Sequence, residues 1–424
     1  MQTLWTLTSG PRPTFGNSSL PARCDTVIVG GGFTGLTAAL HLVKAGRSVV
    51  VLEADTLGEG ASGRNAGFVV PNFAKADPAT VRAKLPSARA DALLRLVAGG
   101  ADAVFATIAE EAIGCDAAPT GWLQPAYGAD MAETLKRRAA DWRALGHPVD
   151  FLDAAEIARQ TGMTIYAGGL IDRSGGTIHP LNYLLGLATA VARRGGTVRE
   201  GASVSRIEKT GHGWRVEGPT FAVEADSVIL ATNAFTTGAA SRMGRTGVPL
   251  RVIQVATRPI DAETVTRIAP DRRPVGDTRS NLFTYRLDRD NRLVSGGMAI
   301  VPFGALERVG RAVADRLVHE LGLPRHPGIE IAWSGTAIMT PDFLPRLHVL
   351  GDGFFGGIGC NGRGIAMTAQ LGAVLARLAL GAPAEAQPIP VRPLRPLPLH
   401  ALTPVVTAAA LAHARFEDWR RGGT

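Results

Sequence analysis

Three glycines and one carboxylate in this chain are spaced to hold a dinucleotide. Gly30, Gly32 and Gly35 fall as G-x-G-x-x-G within Gly30-Gly31-Gly32-Phe33-Thr34-Gly35, and Glu53 follows 18 residues after the last glycine, next to Ala54. Gly30 permits a tight turn, Gly32 lets a pyrophosphate approach the backbone without meeting a Cβ, and Gly35 lets a helix pack closely on a strand. The free N–H groups and dipole of a helix N-terminus favour phosphate charge, so no lysine is needed. Glu53 is placed to accept hydrogen bonds from a ribose 2′-OH, which favours an unphosphorylated adenosine ribose over NADP.

The motif gains meaning from the elements around it. Thr26 to Val29 is apolar and β-branched, Leu36 to Ala45 reads as a helix, and Ser48 to Leu52 reads as a second strand stopping at Glu53. Together they make a βαβ unit. A second glycine-rich turn, Gly359 to Gly364, stands between a short strand at Phe354 to Ile358 and an alanine- and leucine-rich helix from Ile365. The N-terminus of that second helix is also suited to negative charge.

Between these ends the pattern changes twice. Helical spacing runs through Ala92 to Ala112 and Met131 to Leu145, with a capping-box pair at Asp153 and Glu156 before another helix. Ile178-His179-Pro180 opens a helix to Arg194, and short strands follow at 197–200, 204–209, 213–217 and 221–224. Ser227 to Ala231 reads as a strand buried on both faces, ending at Thr232. Residues 247–300 alternate as an antiparallel sheet should. The predicted fold is α/β: a Rossmann-like nucleotide domain (1–75, 150–235 and 333–385) with an inserted mixed or antiparallel-sheet substrate domain (76–149 and 236–332). Residues 1–23 read as an extended arm, and 386–424 as a proline-rich linker and a terminal helix.

Composition bounds the remaining possibilities. The 424 residues carry 46% hydrophobic and 19% charged side chains, ordinary for a globular protein too long for a single core. A net charge of +8 comes from arginines spread along the chain, with few aromatic residues, which argues for composition bias rather than a nucleic-acid partner. Cys24, Cys115 and Cys360 lack C-x-x-C spacing, so neither a metal site nor a disulfide framework is expected. With no signal-peptide pattern and no run of roughly 18 apolar residues, a cytoplasmic protein without a membrane span is expected. The oligomeric state is open.

Four motifs in fixed order carry a resemblance. They are Val27 to Leu36; Gly60-Ala61-Ser62-Gly63-Arg64-Asn65-Ala66-Gly67; Ala231-Thr232-Asn233-Ala234; and a closing set of Trp333-Ser334-Gly335-Thr336, Thr340-Pro341-Asp342 and Gly357 to Ile365. The chain resembles the FAD-dependent oxidoreductases of the D-amino-acid oxidase superfamily. Ile178 to Tyr183 and the closing Phe416-Glu417-Asp418-Trp419 are most similar to the gamma-glutamylputrescine oxidoreductase branch.

By that resemblance FAD is the cofactor. Gly60, Ala61, Ser62, Arg64, Asn65, Ala66 and Gly67 should lie along the pyrophosphate and flavin, Val204 beside the adenine, and Gly362, Arg363, Gly364 and Ile365 at the pyrimidine edge of the flavin. Arg64 would add a cation nearby. The implied reaction oxidises a small amine or amino acid to an imine by hydride transfer to flavin N5, followed by hydrolysis, with O2 or another acceptor taking the electrons. A 2-hydroxy-acid dehydrogenase and a non-catalytic FAD-binding subunit are the alternatives. FAD is expected to be non-covalent, because Gly335 occupies the place where related sarcosine oxidases carry a tethering cysteine. The lysine that those oxidases associate with O2 use is missing from Arg292 to Gly297.

Substrate residues are harder to read. Tyr285 and Arg286 lie in the inserted sheet, and Arg286 is a candidate to grip a substrate carboxylate, the alternative being a solvated hairpin at 286–290. Trp333 is either an aromatic wall or core, Asn361 sits in the turn expected over the flavin, and His179 reads as a structural histidine.

Overall fold

The molecule is described as a computed structural model over residues 2–15, 19–235, 241–301 and 303–420, with the side chains at 241 and 417–419, part of the closing motif, outside the described residues. The strand Val49–Leu52 is buried at every position because it lies in a parallel layer covered on both faces. It pairs in parallel with Arg23–Val29 on one side and Thr197–Arg199 on the other. Arg23–Val29 also pairs with Phe221–Leu230, which pairs in turn with Phe354–Ile358, all in parallel. Arg346–Gly351 closes the edge antiparallel. The two strands expected at 221–224 and 227–231 are one continuous strand. Its first half pairs with Gly213–Gly218 and its second half with Phe354–Ile358, so the chain has no reason to break between them.

The second sheet also has eight strands, in the spatial order Ile329–Met339, Val248–Thr257, Leu293–Met298, Thr284–Leu287, Val275–Gly276, Trp122–Pro125, Gly169–Asp172, Val149–Leu152. All neighbours are antiparallel except Val275–Gly276 with Trp122–Pro125. This pairing corrects the predicted boundaries. Residues 150–152, 169–172 and 333–339, predicted in the nucleotide domain, hydrogen-bond in the second sheet.

Both chain ends are more structured than their composition suggested. Leu4–Thr8 is a short helix closed by a reciprocal Thr3 and Thr6 cap, with Leu4 and Trp5 fully buried. In the proline-rich tail, Leu347 N–H donates to Pro390 O at 2.9 Å and Arg392 N–H to Leu347 O at 2.8 Å, adding a bridge to the outer strand of the first sheet. Proline lacks an N–H but keeps its carbonyl, so such a segment can still dock on a sheet edge. The terminal helix Thr403–Arg420 leaves Val405 and Val406 two-thirds exposed. No single helix among the described residues is long and apolar enough to cross a membrane.

The motif helix Phe33–Lys44 packs against Gly364–Ala379, the helix that follows the second glycine turn. Gly372 sets their approach: a Cβ there would lie 2.6 Å from Thr34 O and 2.7 Å from Thr37 Cβ. Gly372→Ala gains about 1 kcal/mol of helix propensity but crowds a main-chain carbonyl, which costs about 1–3 kcal/mol. We expect a net loss and a lower urea midpoint. A raised midpoint would mean that the two helices separate freely.

Candidate FAD site

The first glycine turn has the geometry its sequence implies. Gly30 adopts φ +107°, and a Cβ there would lie 2.8 Å from Ala231 O and 3.3 Å from Thr232 N, so the turn is wedged against the end of the neighbouring strand. A Cβ on Gly35 would lie 2.0 Å from Gly30 O. Phe33 N–H, at the head of the helix, donates to Ser62 Oγ at 3.0 Å, and the only atom near a Cβ on Gly32 is that same hydroxyl at 3.1 Å. Ser62 and the turn therefore share one polar niche at a helix N-terminus, the chemistry a pyrophosphate needs. Glu53 Oε2 accepts from Gly31 N–H at 2.8 Å and Oε1 from Asp55 N–H at 3.1 Å. These two bonds use one lone pair on each oxygen and leave acceptor capacity for a ribose hydroxyl. Ala202 N–H donates to Glu53 O at 2.8 Å, which draws the segment holding half-buried Val204 alongside.

The block Gly60 to Gly67 is irregular, with only Ala61–Gly63 forming a turn of 3-10 helix. Its last four carbonyls are each taken by a side-chain donor from elsewhere in the chain. Trp333 Nε1–H donates to Arg64 O at 2.9 Å and Trp5 Nε1–H to Asn65 O at 2.7 Å. Arg286 Nη1 donates to Ala66 O at 3.3 Å and Gly67 O at 3.0 Å, and to Ile178 O at 2.7 Å. Asn65 fixes the loop internally, donating to Ser62 O at 2.8 Å and accepting from Gly67 N–H at 2.9 Å. Gly67, at φ +77°, has no room for a side chain: a Cβ would lie 2.2 Å from Arg286 Nη1. Arg64 itself is ion-paired with Glu59 and donates to Glu59 O and Ser334 O, so the free cation expected there is compensated.

At the second turn, the helix Gly364–Ala379 starts with no side-chain cap, leaving its first amides open to a ligand, and a Cβ at Gly362 or Gly364 would meet nothing within 4 Å. Asn361 holds the turn from inside, accepting from Thr340 N–H at 2.7 Å and donating to Gly359 O at 2.9 Å. Burial raises the Cys360 thiol above its ordinary pKa, against thiolate chemistry. The residues of both glycine turns and the loop between them fit an extended dinucleotide.

The four expected substrate residues are otherwise engaged. Arg286, 3% exposed, is not a solvated hairpin residue: its Nε and Nη1 hydrogen bonds go to main-chain carbonyls. Tyr285 is fully buried and donates to Ile268 O at 2.8 Å in the core of the second domain. Trp333 is core as well as a loop clamp, and Asn361 is a turn staple. Sequence reading missed Trp5, whose indole also packs against Trp333 and His179 with ring centroids 6.1 and 5.1 Å apart. A lone tryptophan in a polar arm gives no local signal.

Comparison with known proteins agrees with this geometry. Residues 25–378 match the family described as DAO: FAD dependent oxidoreductase, leaving Trp5 outside the match. The chain is 32% identical over 360 residues to gamma-glutamylputrescine oxidoreductase of Escherichia coli (strain K12), covering 84% of each chain. Among solved structures, glycine oxidase from Geobacillus kaustophilus superposes with a TM-score of 0.71 at 22% identity, over 86% of this chain and 96% of that one. An L-amino acid deaminase from Proteus vulgaris does so at 0.73 and 18% identity, over 89% and 96%.

The clamp predicts unequal effects for two adjacent residues. Arg286→Met strands the Ala66 and Ile178 carbonyls, at about 1–3 kcal/mol each, and leaves Gly67 O to Ile178 N–H alone, so denaturant unfolding should register a loss of about 2 kcal/mol or more, and the purified variant should hold less flavin. Tyr285→Phe, losing one neutral bond, should lose about 1 kcal/mol and keep its flavin. Equal flavin loss in both variants would remove the special role of Arg286.

His179 gives a pH prediction. Its Nδ1 accepts from Asn182 N–H at 3.1 Å as a helix N-cap, so Nε2 carries the proton and donates to Thr8 Oγ1 at 3.0 Å. Burial, chiefly, lowers its pKa from 6.5 to about 4. Between those values the unfolded chain takes up a proton that the folded chain refuses. The His179 contribution is therefore full above pH 6.5 and shrinks as pH falls toward 4, at about 1.4 kcal/mol per unit. His179→Asn keeps a capping acceptor and should flatten that slope in urea titrations at stepped pH. An unchanged slope would place the titration elsewhere.

Proposed function

This chain belongs to the FAD dependent oxidoreductase family, and we propose that within it the protein oxidises a small amine or amino acid to an imine, which water then hydrolyses. The observation that supports the reading is the pair of glycine-opened helices, Phe33–Lys44 and Gly364–Ala379, packed on each other, with the first helix's Phe33 N–H meeting Ser62 of the pinned loop Gly60 to Gly67. The similarity to an oxidoreductase named for gamma-glutamylputrescine, and the fold shared with a glycine oxidase, support an amine as the electron donor.

FAD would supply the two-electron acceptor, and the chain supplies its seat. Phe33 N–H and Ser62 would face the pyrophosphate, Glu53 the ribose, and the loop from Ala61 to Gly67 the flavin. The dipole of Gly364–Ala379 would favour negative charge at its N-terminus, where Gly362, Arg363, Gly364 and Ile365 would meet the pyrimidine edge. None of the histidine and cysteine side chains at this site is available as a base: His179 is spent as a cap and the Cys360 thiol is held protonated by burial. The substrate amine must then arrive neutral, its lone pair assisting loss of the hydride. The absence of a cysteine at Gly335 and the burial of Cys24 and Cys115 support non-covalent binding.

Anaerobic mixing with small amines, amino acids and 2-hydroxy acids tests the reading through bleaching of the flavin. Amines should bleach it faster as pH rises, acid precipitation should leave the flavin in solution, and admitting air should restore the colour if O2 is the acceptor. Bleaching by 2-hydroxy acids alone would replace the amine, and no bleaching by any donor would leave a binding subunit.

A further inference from the structure

The arm from Gln2 to Phe15, which precedes the family match beginning at residue 25, meets the cofactor seat at two places. Trp5 Nε1–H donates to Asn65 O at 2.7 Å, and Arg12 Nη2 donates to Leu57 O at 3.0 Å. These two carbonyls bracket Ser62, whose hydroxyl accepts from Phe33 N–H at the head of the motif helix. Both held residues reach that niche themselves. Leu57 leans on the first glycine turn, where a Cβ on Gly31 would lie 2.5 Å from Leu57 Cδ2, and Asn65 donates to Ser62 O at 2.8 Å. The arm therefore ties both flanks of the niche that would face the pyrophosphate.

The arm is fastened by side chains. Among the described residues, no main-chain hydrogen bond joins 2–15 to the rest of the chain, and none of 2–15 lies in a sheet. Besides the two donors above, Arg12 pairs with Glu200, Thr8 Oγ1 bonds His179 Nε2 at 3.0 Å, and Arg289 Nη2 donates to Thr8 O at 3.5 Å. Leu4, Trp5 and Phe15 are buried, whereas Leu7 is half exposed. A segment without backbone pairing, anchored by a few side chains, detaches at a lower free energy than a core strand or helix does. Detachment is felt in the seat, because it takes the indole donor from the enclosed carbonyl of Asn65. Loop order and arm attachment are thus coupled, and such coupling is reciprocal: a ligand that orders the loop also holds the arm.

We propose that the arm is a latch on the cofactor seat, with Trp5 and Arg12 as positioning residues that act on FAD through Asn65 and Leu57. FAD binding and arm closure raise each other's equilibrium constants by the same factor. The inference rests on the FAD seat and is independent of which electron donor the protein oxidises.

The test uses the full chain, both loaded with FAD and stripped of it. Hydrogen exchange at Thr6 and Leu7, whose amides bond to Thr3 O at 3.2 Å, reads closure of the arm, and titration of FAD into the stripped chain by flavin fluorescence reads affinity. FAD should slow exchange at these amides roughly tenfold or more. Trp5→Phe, which keeps a ring without the N–H, and Arg12→Gln should each raise the FAD dissociation constant several-fold and cut the slowing by the same factor. Arg12→Lys, which keeps a charge for Glu200, should fall between Arg12→Gln and the parent. Leu7→Gln, exposed on the same short helix, should leave both readings unchanged. A role confined to folding would instead lower the melting temperature of the stripped chain and leave the slowing by FAD intact, which would overturn the proposal. So would equal exchange with and without FAD, or folded variants at Trp5 and Arg12 that bind FAD as tightly as the parent. If Trp5→Phe does not fold, Arg12→Gln decides alone. A parent chain that takes up no FAD would sink the cofactor seat itself, and the latch with it.

Discussion

Three consecutive main-chain carbonyls, from Arg64 to Ala66, need hydrogen bonds that no helix or sheet supplies to them, and the next, Gly67 O, shares the Ile178 N–H with a side-chain donor. A loop shaped to a ligand cannot use regular structure, yet it lies too deep for water to satisfy its backbone. The chain meets this constraint with three buried donors, the Trp5 and Trp333 indoles and the Arg286 guanidinium. Arg286 and Trp333 stand on strands of the second sheet, and Trp5 on the N-terminal helix. The cofactor seat is thus built by the nucleotide domain but held in shape by the other domain and by the chain terminus.

Local physics made part of this legible. The βαβ unit follows from apolar strands, from glycines whose missing Cβ atoms are required at 2.0 to 2.8 Å from neighbouring backbone, and from an acid at the end of the second strand. The Asp153 and Glu156 capping box formed as read, because both partners lie within one helical turn. Distant partnerships were not legible. Arg286, Trp333 and Asn361 have the side chains one expects at a substrate site, but the same donors suit a buried carbonyl equally well, and spacing along the chain does not say which they will meet. Trp122 passed unnoticed for the same reason, since only the folded sheet brings its ring to the Arg363 guanidinium.

The arginine-rich composition also takes on a different sense. Arg286 is buried against main-chain oxygens, and Arg279 is held inside the second domain by Asp277 and Glu320. A guanidinium offers five donors in a fixed plane and is less strongly hydrated than an ammonium, so it tolerates such positions better than lysine would. Part of the net charge of +8 is therefore interior bracing and says little about a partner at the surface.

Trp5 and Trp333 also fix a sequence of events during biosynthesis. The residues of the pinned loop leave the ribosome early, but the indole that takes the carbonyl of Arg64 is not made until more than three quarters of the chain has been synthesised. The central strand Arg23–Val29 likewise waits for Phe221–Leu230. A nascent chain therefore carries its nucleotide motif long before Arg286 and Trp333, the later donors that close the loop, have been made.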